Sequence, residues 1–158
     1  MTPNNQKIYV NLGRLGDICN ILPLLYDDHV KGTRSAMMVA RDFAGQLSSG
    51  CSYYDEVVFN GSMWDLDKAV KEADNLSSNV VVTQLVGPYE VVKSVVINRN
   101  GLEYRTTTES FMKDAWMIAG RFEDWKKQLP LVFDKRSAER EKRLCEPIVK
   151  KKPLILVA

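Results

Sequence analysis

The sequence predicts an α/β domain whose parallel sheet is covered by helices on both faces. Along most of the 158 residues, short apolar runs alternate with segments of helical periodicity. The runs contain few polar residues, which is typical of parallel strands that are buried on both faces. With 45% hydrophobic and 27% charged residues, the chain has enough apolar side chains for a substantial core. The length fits one domain, or one domain with the beginning of another.

The first half of the sequence contains the clearest strands and helices. The predicted strands are the apolar runs at 8–12, 36–40, 54–59 and 80–87. A helix follows the first strand, a short helix is predicted at 43–47, and an amphipathic helix at 63–76. Because Pro23 lacks a backbone N–H, it must either kink the first helix or lie near the effective start of that helix.

The second half is less regular. Residues 88–101 are ambiguous between helix and strand, because β-branched residues fill a short run. Residues 106–122 predict a helix that is capped by Thr107 or Thr108 and closed near Gly120.

The C-terminal part carries a strong positive charge. Residues 126–152 contain ten Lys and Arg against four Asp and Glu, although the whole chain has a net charge of only +2. Such a segment could contact nucleic acid or anionic lipid, but its charged core at 134–147 has no aromatic residue for stacking on bases. We therefore predict a solvated helix at 135–146 and no nucleic-acid partner. The apolar run at 153–158 is predicted to be one more buried strand.

Cysteine and histidine usage gives no sign of a metal site. Cys19, Cys51 and Cys145 are far apart, and His29 is the only histidine. A zinc site needs a tighter cluster, and an odd number of cysteines does not suggest a disulfide framework. The N-terminus lacks a signal pattern, and no apolar run approaches the roughly 18 residues that span a membrane. We expect a cytoplasmic protein with reduced thiols and no cofactor.

Two glycines and an acid follow the first strand, in the stretch VNLGRLGDICNILPLL. With glycines only at Gly13 and Gly16, the stretch fits neither the dinucleotide-binding nor the nucleoside-triphosphate loop. A tight turn at a helix N-terminus remains, and its backbone N–H groups favour an anion. Asp17 could act there as a general base, or it could be an N-cap aspartate. Spacing alone favours the cap.

Ligands of parallel sheets bind beside the carboxyl ends of the strands. The loop 13–17, Arg41, Asn60 and the segment 83–87 are all expected at such ends. Arg14 could bind a phosphate through its guanidinium or remain a solvated loop residue. Thr83 and Gln84 either face the expected cleft or only terminate a strand.

Three other features have simpler explanations than catalysis. Asp65 and Asp67 form an Asp-x-Asp pattern that could bind a metal ion, but acids at a helix start also complement the helix dipole, and we favour that explanation. Trp116 and Trp125 are expected in the core or in an interdomain contact rather than as sugar platforms. His29 is expected at the surface or as a cap.

Three stretches together resemble the bacterial heptosyltransferases, the ADP-heptose lipopolysaccharide transferases of glycosyltransferase family 9. The first is the Leu15-Gly16-Asp17 turn, followed by Leu22-Pro23-Leu24 in a helix. The second is YYDEVVF, which is similar to the third strand of the family. The third is LPLVFDKRSAEREKRLCEPIVKKKPLILVA, which resembles the family's linker, charged helix and first strand of the second domain. The three stretches follow the family's order and extend over nearly the whole chain.

The resemblance implies two Rossmann-like, three-layer domains facing across a cleft, the GT-B arrangement. Residues 1–134 would then be the acceptor-side domain, 135–152 a linker with the charged helix, and 153–158 the first strand of a second, donor-binding domain. The catalytic base implied by the resemblance is Asp17. The acceptor would contact the loop that contains Gly13, Arg14 and Gly16, together with Thr83 and Gln84.

The sequence also departs from the family. Its members often have a basic residue where this chain has Asn11, and small hydroxyl residues where it has Gly13 and Arg14. The acceptor therefore need not be lipopolysaccharide.

We expect a metal-independent glycosyltransferase. It would move a sugar from a nucleotide-sugar donor, bound mainly by the second domain, to a carbohydrate or glycolipid acceptor. Peripheral membrane contact and homodimer formation stay open. The alternative is a non-catalytic α/β module that uses the cleft for binding or assembly.

Overall fold

The computed structural model describes residues 4–84, 95–97, 103–105, 111–139 and 142–143. The described residues form strands and α-helices in largely alternating order, with 3-10 helices at Arg41–Phe43 and Ser48–Gly50. The strands are β1 (Asn4–Val10), β2 (Ser35–Ala40), β3 (Tyr54–Phe59), β4 (Ser77–Val82), β5 (Val95–Ile97) and β6 (Glu103–Arg105). The helices are α1 (Leu15–Val30), α2 (Leu66–Leu76), α3 (Phe111–Ile118) and α4 (Phe122–Trp125).

Strands β1 to β4 form one parallel sheet with the order β3-β2-β1-β4. In the interior strand β1, Ile8 is paired with Ala36 of β2 and with Val80 of β4. The predicted α/β fold with a parallel sheet is therefore confirmed. Because all four strands run in the same direction, their carboxyl ends lie at one edge of the sheet, and the loops that leave this edge come together there.

Side chains alternate between two cores, one on each face of the sheet. On one face, Tyr9 and Met37 pack in a cluster with α1 and α3, which contributes Trp116. On the other face, Ile8 and Met38 pack against α2. Since successive residues of a strand point to opposite faces, this alternation explains why the last three residues of β1 and the last five of β2 are all apolar.

The predicted strand at 54–59 coincides with β3, and the other early elements differ in their bounds. The predicted helix at 43–47 is wrong. Gly45 has a φ of 75°, a left-handed conformation that ends regular helical geometry, and only the 3-10 helices flank it. Pro23 lies well inside α1, so it is not near the start of the helix.

Strand β4 begins directly after α2, three residues before the predicted strand at 80–87; residues 85–87 lie outside the described part of the chain. The ambiguity at 88–101 is resolved where the chain is described. Val95–Ile97 is a strand, and it pairs in antiparallel orientation with Glu103–Arg105, a strand that was not predicted.

The helix predicted at 106–122 is present as α3 at Phe111–Ile118, and Gly120, with a φ of 71°, follows it. Thr107 and Thr108 lie outside the described residues, as does 153–158. Of the predicted charged helix at 135–146, residues 138–139 and 142–143 are helical. No helix among the described residues is both long and apolar enough to cross a membrane.

A buried group of ionic side chains joins α1 to the segment between α3 and α4. The Arg121 side chain is 15% exposed and forms ion pairs with Asp27, Asp28 and Asp124. One of its nitrogens lies 2.9 Å from Asp28 Oδ1, and the same nitrogen donates to the Tyr9 hydroxyl at 3.3 Å. Arg121 therefore connects α1, α4 and the interior strand β1.

Asp28 is the most connected acid of this group. Its Oδ2 accepts hydrogen bonds from the Tyr9 hydroxyl at 2.7 Å and from the Ser35 hydroxyl at 3.3 Å, and it pairs with Lys7 at 2.9 Å. Burial alone raises the pKa of Asp28. The hydrogen bonds from Tyr9 and Lys7, with the positive charges of Lys7 and Arg121, outweigh burial and hold that pKa below its ordinary value.

Candidate functional site

A pocket of about 180 Å³ lies at the carboxyl edge of the parallel sheet. The loop after β1, the start of α1, the loop after β3, the residues that follow β4 and α3 form its walls. Its lining residues are Asn11, Gly13, Asp17, Asn20, Met63, Trp64, Thr83, Gln84 and Ala115. The structure thus brings together four of the predicted site residues, Gly13, Asp17, Thr83 and Gln84.

Asp17 lies in the first turn of α1 and lines the pocket. Its Oδ2 accepts a hydrogen bond from the backbone N–H of Arg14 at 2.8 Å. Arg14 is the N-cap residue, and its carbonyl accepts the N–H of Ile18 at 3.1 Å. Asp17 is therefore not the N-cap aspartate that spacing suggested. It occupies the third helical position and bonds back to the cap, as the acid of a capping box does.

Gly13 is buried and has no room for a side chain. A Cβ at this position would lie 2.6 Å from Asp17 Oδ2, 2.8 Å from Asp17 Cβ and 2.9 Å from Asn11 Oδ1. The backbone N–H of Gly13 donates to that same Asn11 oxygen at 3.0 Å. Glycine at position 13 thus allows the loop to pass directly beside the Asp17 carboxylate.

Asn11 and Thr83 connect the loop to the end of β4. Asn11 Nδ2 donates to the Thr83 hydroxyl oxygen at 3.1 Å, and the Thr83 hydroxyl donates to the Val10 carbonyl at 3.1 Å. Both side chains are buried. Asn11 was not predicted as a site residue. The available signal was a single polar residue inside the apolar run that predicted a strand at 8–12.

Gln84 follows β4 and connects two loops at the pocket. Its Oε1 accepts the backbone N–H of Leu12 at 2.7 Å, and its Nε2 donates to the Met63 carbonyl at 3.4 Å. The amide thereby holds the β1 loop and the β3 loop at the end of β4. Thr83 and Gln84 both lie at the predicted edge of the sheet, and their polar atoms hold backbone in place.

The other predicted residues lie at the rim or away from the pocket. Arg14 and Gly16 are exposed and do not line the pocket, and Arg41 and Asn60 are also exposed. Asp65 precedes α2, and its Oδ2 accepts the N–H of Ser62 at 3.1 Å. Among the described residues, no group of three potential metal ligands is found.

Asn20 fastens α3 to the helix that carries Asp17. Its side chain donates to the Met112 carbonyl at 3.0 Å, and its own carbonyl accepts the indole N–H of Trp116 at 2.8 Å. Trp116 is buried in the core and packs edge-on against Trp125 at 5.4 Å. Trp116 therefore packs in the core, as predicted. His29 is exposed at the far end of α1.

No family model, no curated protein and no solved structure matches this chain. The functional assignment therefore rests on the chemistry of the pocket and on the sequence resemblance.

Proposed function

We propose that this chain is the acceptor-side domain of a metal-independent glycosyltransferase in which Asp17 is the catalytic base. One observation carries the proposal. The Asp17 carboxylate lines a pocket at the carboxyl edge of a parallel sheet, where α/β proteins bind their ligands, and a backbone N–H holds one of its oxygens at 2.8 Å. A base that is fixed in this way is oriented before the substrate arrives.

The two oxygens of Asp17 would have different tasks. Oδ2 holds the Arg14 amide, and Oδ1 has no hydrogen bond to any described residue. Oδ1 would accept the proton of an acceptor hydroxyl. The hydroxyl oxygen would then form a bond to the anomeric carbon of the donor sugar, while the bond from that carbon to the nucleoside diphosphate breaks and its electron pair leaves with the phosphate. General-base catalysis of this kind contributes about 10²–10⁴-fold to a rate.

The size of the pocket agrees with an acceptor site. Pockets for drug-sized ligands have volumes of about 300–1,000 Å³. The pocket beside Asp17 has about 180 Å³, which suits one sugar ring but not a whole nucleotide-sugar. The small volume of the pocket supports the arrangement implied by the family resemblance, in which this domain binds the acceptor and a second domain binds the donor.

A second candidate function is a non-catalytic binding or assembly module. The observation in its favour is that Asn11, Thr83 and Gln84 use their polar groups to bind the backbone and one another, and these bonds hold the loop. In this case Asp17 would only stabilise the start of α1 through its bond to Arg14.

The experiment that separates the two is a transfer assay on the full-length protein. The protein is incubated with ADP-, UDP- and GDP-sugars and with hydroxyl acceptors in the presence of a chelator, and the release of nucleoside diphosphate and the glycosylated product are measured. The glycosyltransferase proposal predicts a product whose formation depends on Asp17. Acceptor binding without turnover for any donor would support the module instead.

A further inference from the structure

Trp64 is an exposed tryptophan on a loop that is otherwise firmly held. Its side chain is 75% exposed, although indole is among the largest apolar groups of a protein and is normally buried to a high degree. The residue belongs to the loop between β3 and α2, at the same edge of the sheet as Asp17. Its neighbour Met63 is partly buried and packs against the core, so within this loop Trp64 is the exposed large apolar side chain.

Hydrogen bonds fix the backbone on both sides of Trp64. The N–H of Trp64 donates to the Ser62 hydroxyl at 3.2 Å, and the Asp65 N–H donates to the Ser62 carbonyl at 3.0 Å. The Met63 carbonyl accepts Gln84 Nε2 at 3.4 Å. An ordered loop that holds an apolar ring in water is a pre-organised contact surface, because little conformational entropy remains to be lost on binding.

Trp64 borders two hollows. One is the pocket that contains Asp17. The other has a volume of about 350 Å³ and is lined by Trp64, Asp65, Leu66, Asp67 and Lys68. The indole therefore stands between the proposed site of reaction and a hollow whose rim carries carboxylate and ammonium groups.

We propose that Trp64 is a stacking platform for a sugar ring of the acceptor. The C–H groups of a pyranose give one of its faces an apolar surface that fits an indole. Its hydroxyl groups require hydrogen-bond acceptors at the edge, which Asp65 and Asp67 supply. A ring on Trp64 would lie next to the pocket of Asp17, so the acceptor is a glycoside of at least one ring rather than a simple alcohol. This inference rests on the proposed function and names its substrate class.

The test uses the full-length protein and the fluorescence of its tryptophans. The chain has three of them, and because Trp116 is buried and Trp125 partly buried, Trp64 should dominate quenching by acrylamide. The probes are the methyl glycosides of glucose, mannose, galactose and a heptose at millimolar concentration. Binding should shield Trp64 from acrylamide. Calorimetric titration measures the affinity without the Trp64 signal, and in it Trp64→Ala should weaken the binding of the glycoside by about tenfold or more, the effect of removing an aromatic anchor.

Two variants make the result specific. Trp64→Phe keeps a ring and should retain part of the affinity. Val30→Ala removes another exposed apolar side chain, at the opposite end of α1 from Asp17, and should change nothing. Unchanged glycoside affinity in Trp64→Ala would overturn the inference. So would an indole that is already shielded from acrylamide without sugar, because another part of the protein would then cover it.

The failure of this inference can be distinguished from the failure of the proposed function. Glycoside binding at Trp64 without any transfer would support the stacking role of Trp64 and contradict the proposed transferase activity. Transfer with the same acceptor KM in Trp64→Ala and in the wild type would support the transferase activity and contradict the stacking role of Trp64.

Discussion

The carboxylate of Asp17 occupies the space that a side chain at position 13 would need. A Cβ on Gly13 would come within 2.6 Å of Asp17 Oδ2 and within 2.8 Å of Asp17 Cβ. The second distance matters more, because Cβ is attached directly to the backbone of α1 and cannot rotate away. Gly13 and Asp17 therefore have to be considered together in any account of the loop.

Gly13→Ala should destabilise the protein and displace the carboxylate. Overpacking of this kind costs about 1–3 kcal/mol, which urea unfolding would measure. The matched control is Gly16→Ala. Nothing lies within 4 Å of a Cβ there, and the position is helical, so alanine should raise the free energy of unfolding by up to about 1 kcal/mol. Equal stabilities for the two variants would contradict the close contact.

Replacement of Arg121 should be among the most damaging single changes in the described part of the chain. Arg121→Met removes the buried partner that Asp27, Asp28 and Asp124 share. Because each acid keeps one lysine partner, the cost should lie near the lower end of the about 3–5 kcal/mol that breaking a buried ion pair costs. The control is Arg34→Met, which breaks the ion pair with Asp55. The Arg34 side chain is 74% exposed, so its loss should cost about 0–1 kcal/mol. Similar losses of unfolding free energy in Arg121→Met and Arg34→Met would mean that burial does not strengthen the ion pairs of Arg121.

Because of Asp28, the free energy of unfolding should decrease as the pH falls into the acidic range. Its pKa is lower in the folded protein than in the unfolded chain, so its contribution is present above the unfolded value of about 3.9 and is lost as the pH falls through the folded value. In Asp28→Asn, the difference in unfolding free energy between neutral pH and about pH 3 should be smaller than in the wild type. Asp42→Asn, which changes an exposed acid, should keep the wild-type difference. Identical pH profiles for Asp28→Asn and the wild type would contradict this role.

Chelators should affect neither folding nor activity. The described residues hold no group of three potential metal ligands, and Asp65 uses one carboxylate oxygen to hold the Ser62 N–H. We therefore expect an unchanged melting temperature and an unchanged transfer rate with EDTA. A strict requirement for Mn²⁺ would instead assign a metal to Asp65 and Asp67 and would contradict a GT-B mechanism.

The parallel sheet could be predicted because burial on both faces leaves a local signal. Local patterns predicted β2, β3 and the last three residues of β1, whereas the four polar residues that begin β1 were not included. Strand β4 was predicted to begin too late, because its first residues, Ser77 to Asn79, are polar. Ser77 is buried and donates to the Gln6 carbonyl, so a polar residue takes part in the strand.

The ionic cluster could not be predicted from the sequence. Arg121 and Tyr9 are 112 residues apart, and neither lies in a motif. An arginine just after a helix is usually a solvated residue, and only the docking of α3 and α4 onto α1 makes this one a partner for acids. The position of Asp17 and its glycine at the carboxyl edge of the sheet could be predicted because the turn is local. The hydrogen-bond partners of Thr83 and Gln84 could not be predicted, because they depend on how the loops after β1 and β3 approach the end of β4.

The most direct test of the account is the turnover rate of Asp17→Asn in the full-length protein with its nucleotide-sugar and acceptor. Asparagine keeps a side-chain oxygen that can accept the Arg14 N–H, so the fold and the affinity for the donor should be preserved. The account predicts a rate about 10²–10⁴-fold below that of the wild type. A rate close to that of the wild type would remove Asp17 from the mechanism, and several kcal/mol of lost stability beside that rate would leave it a purely structural residue.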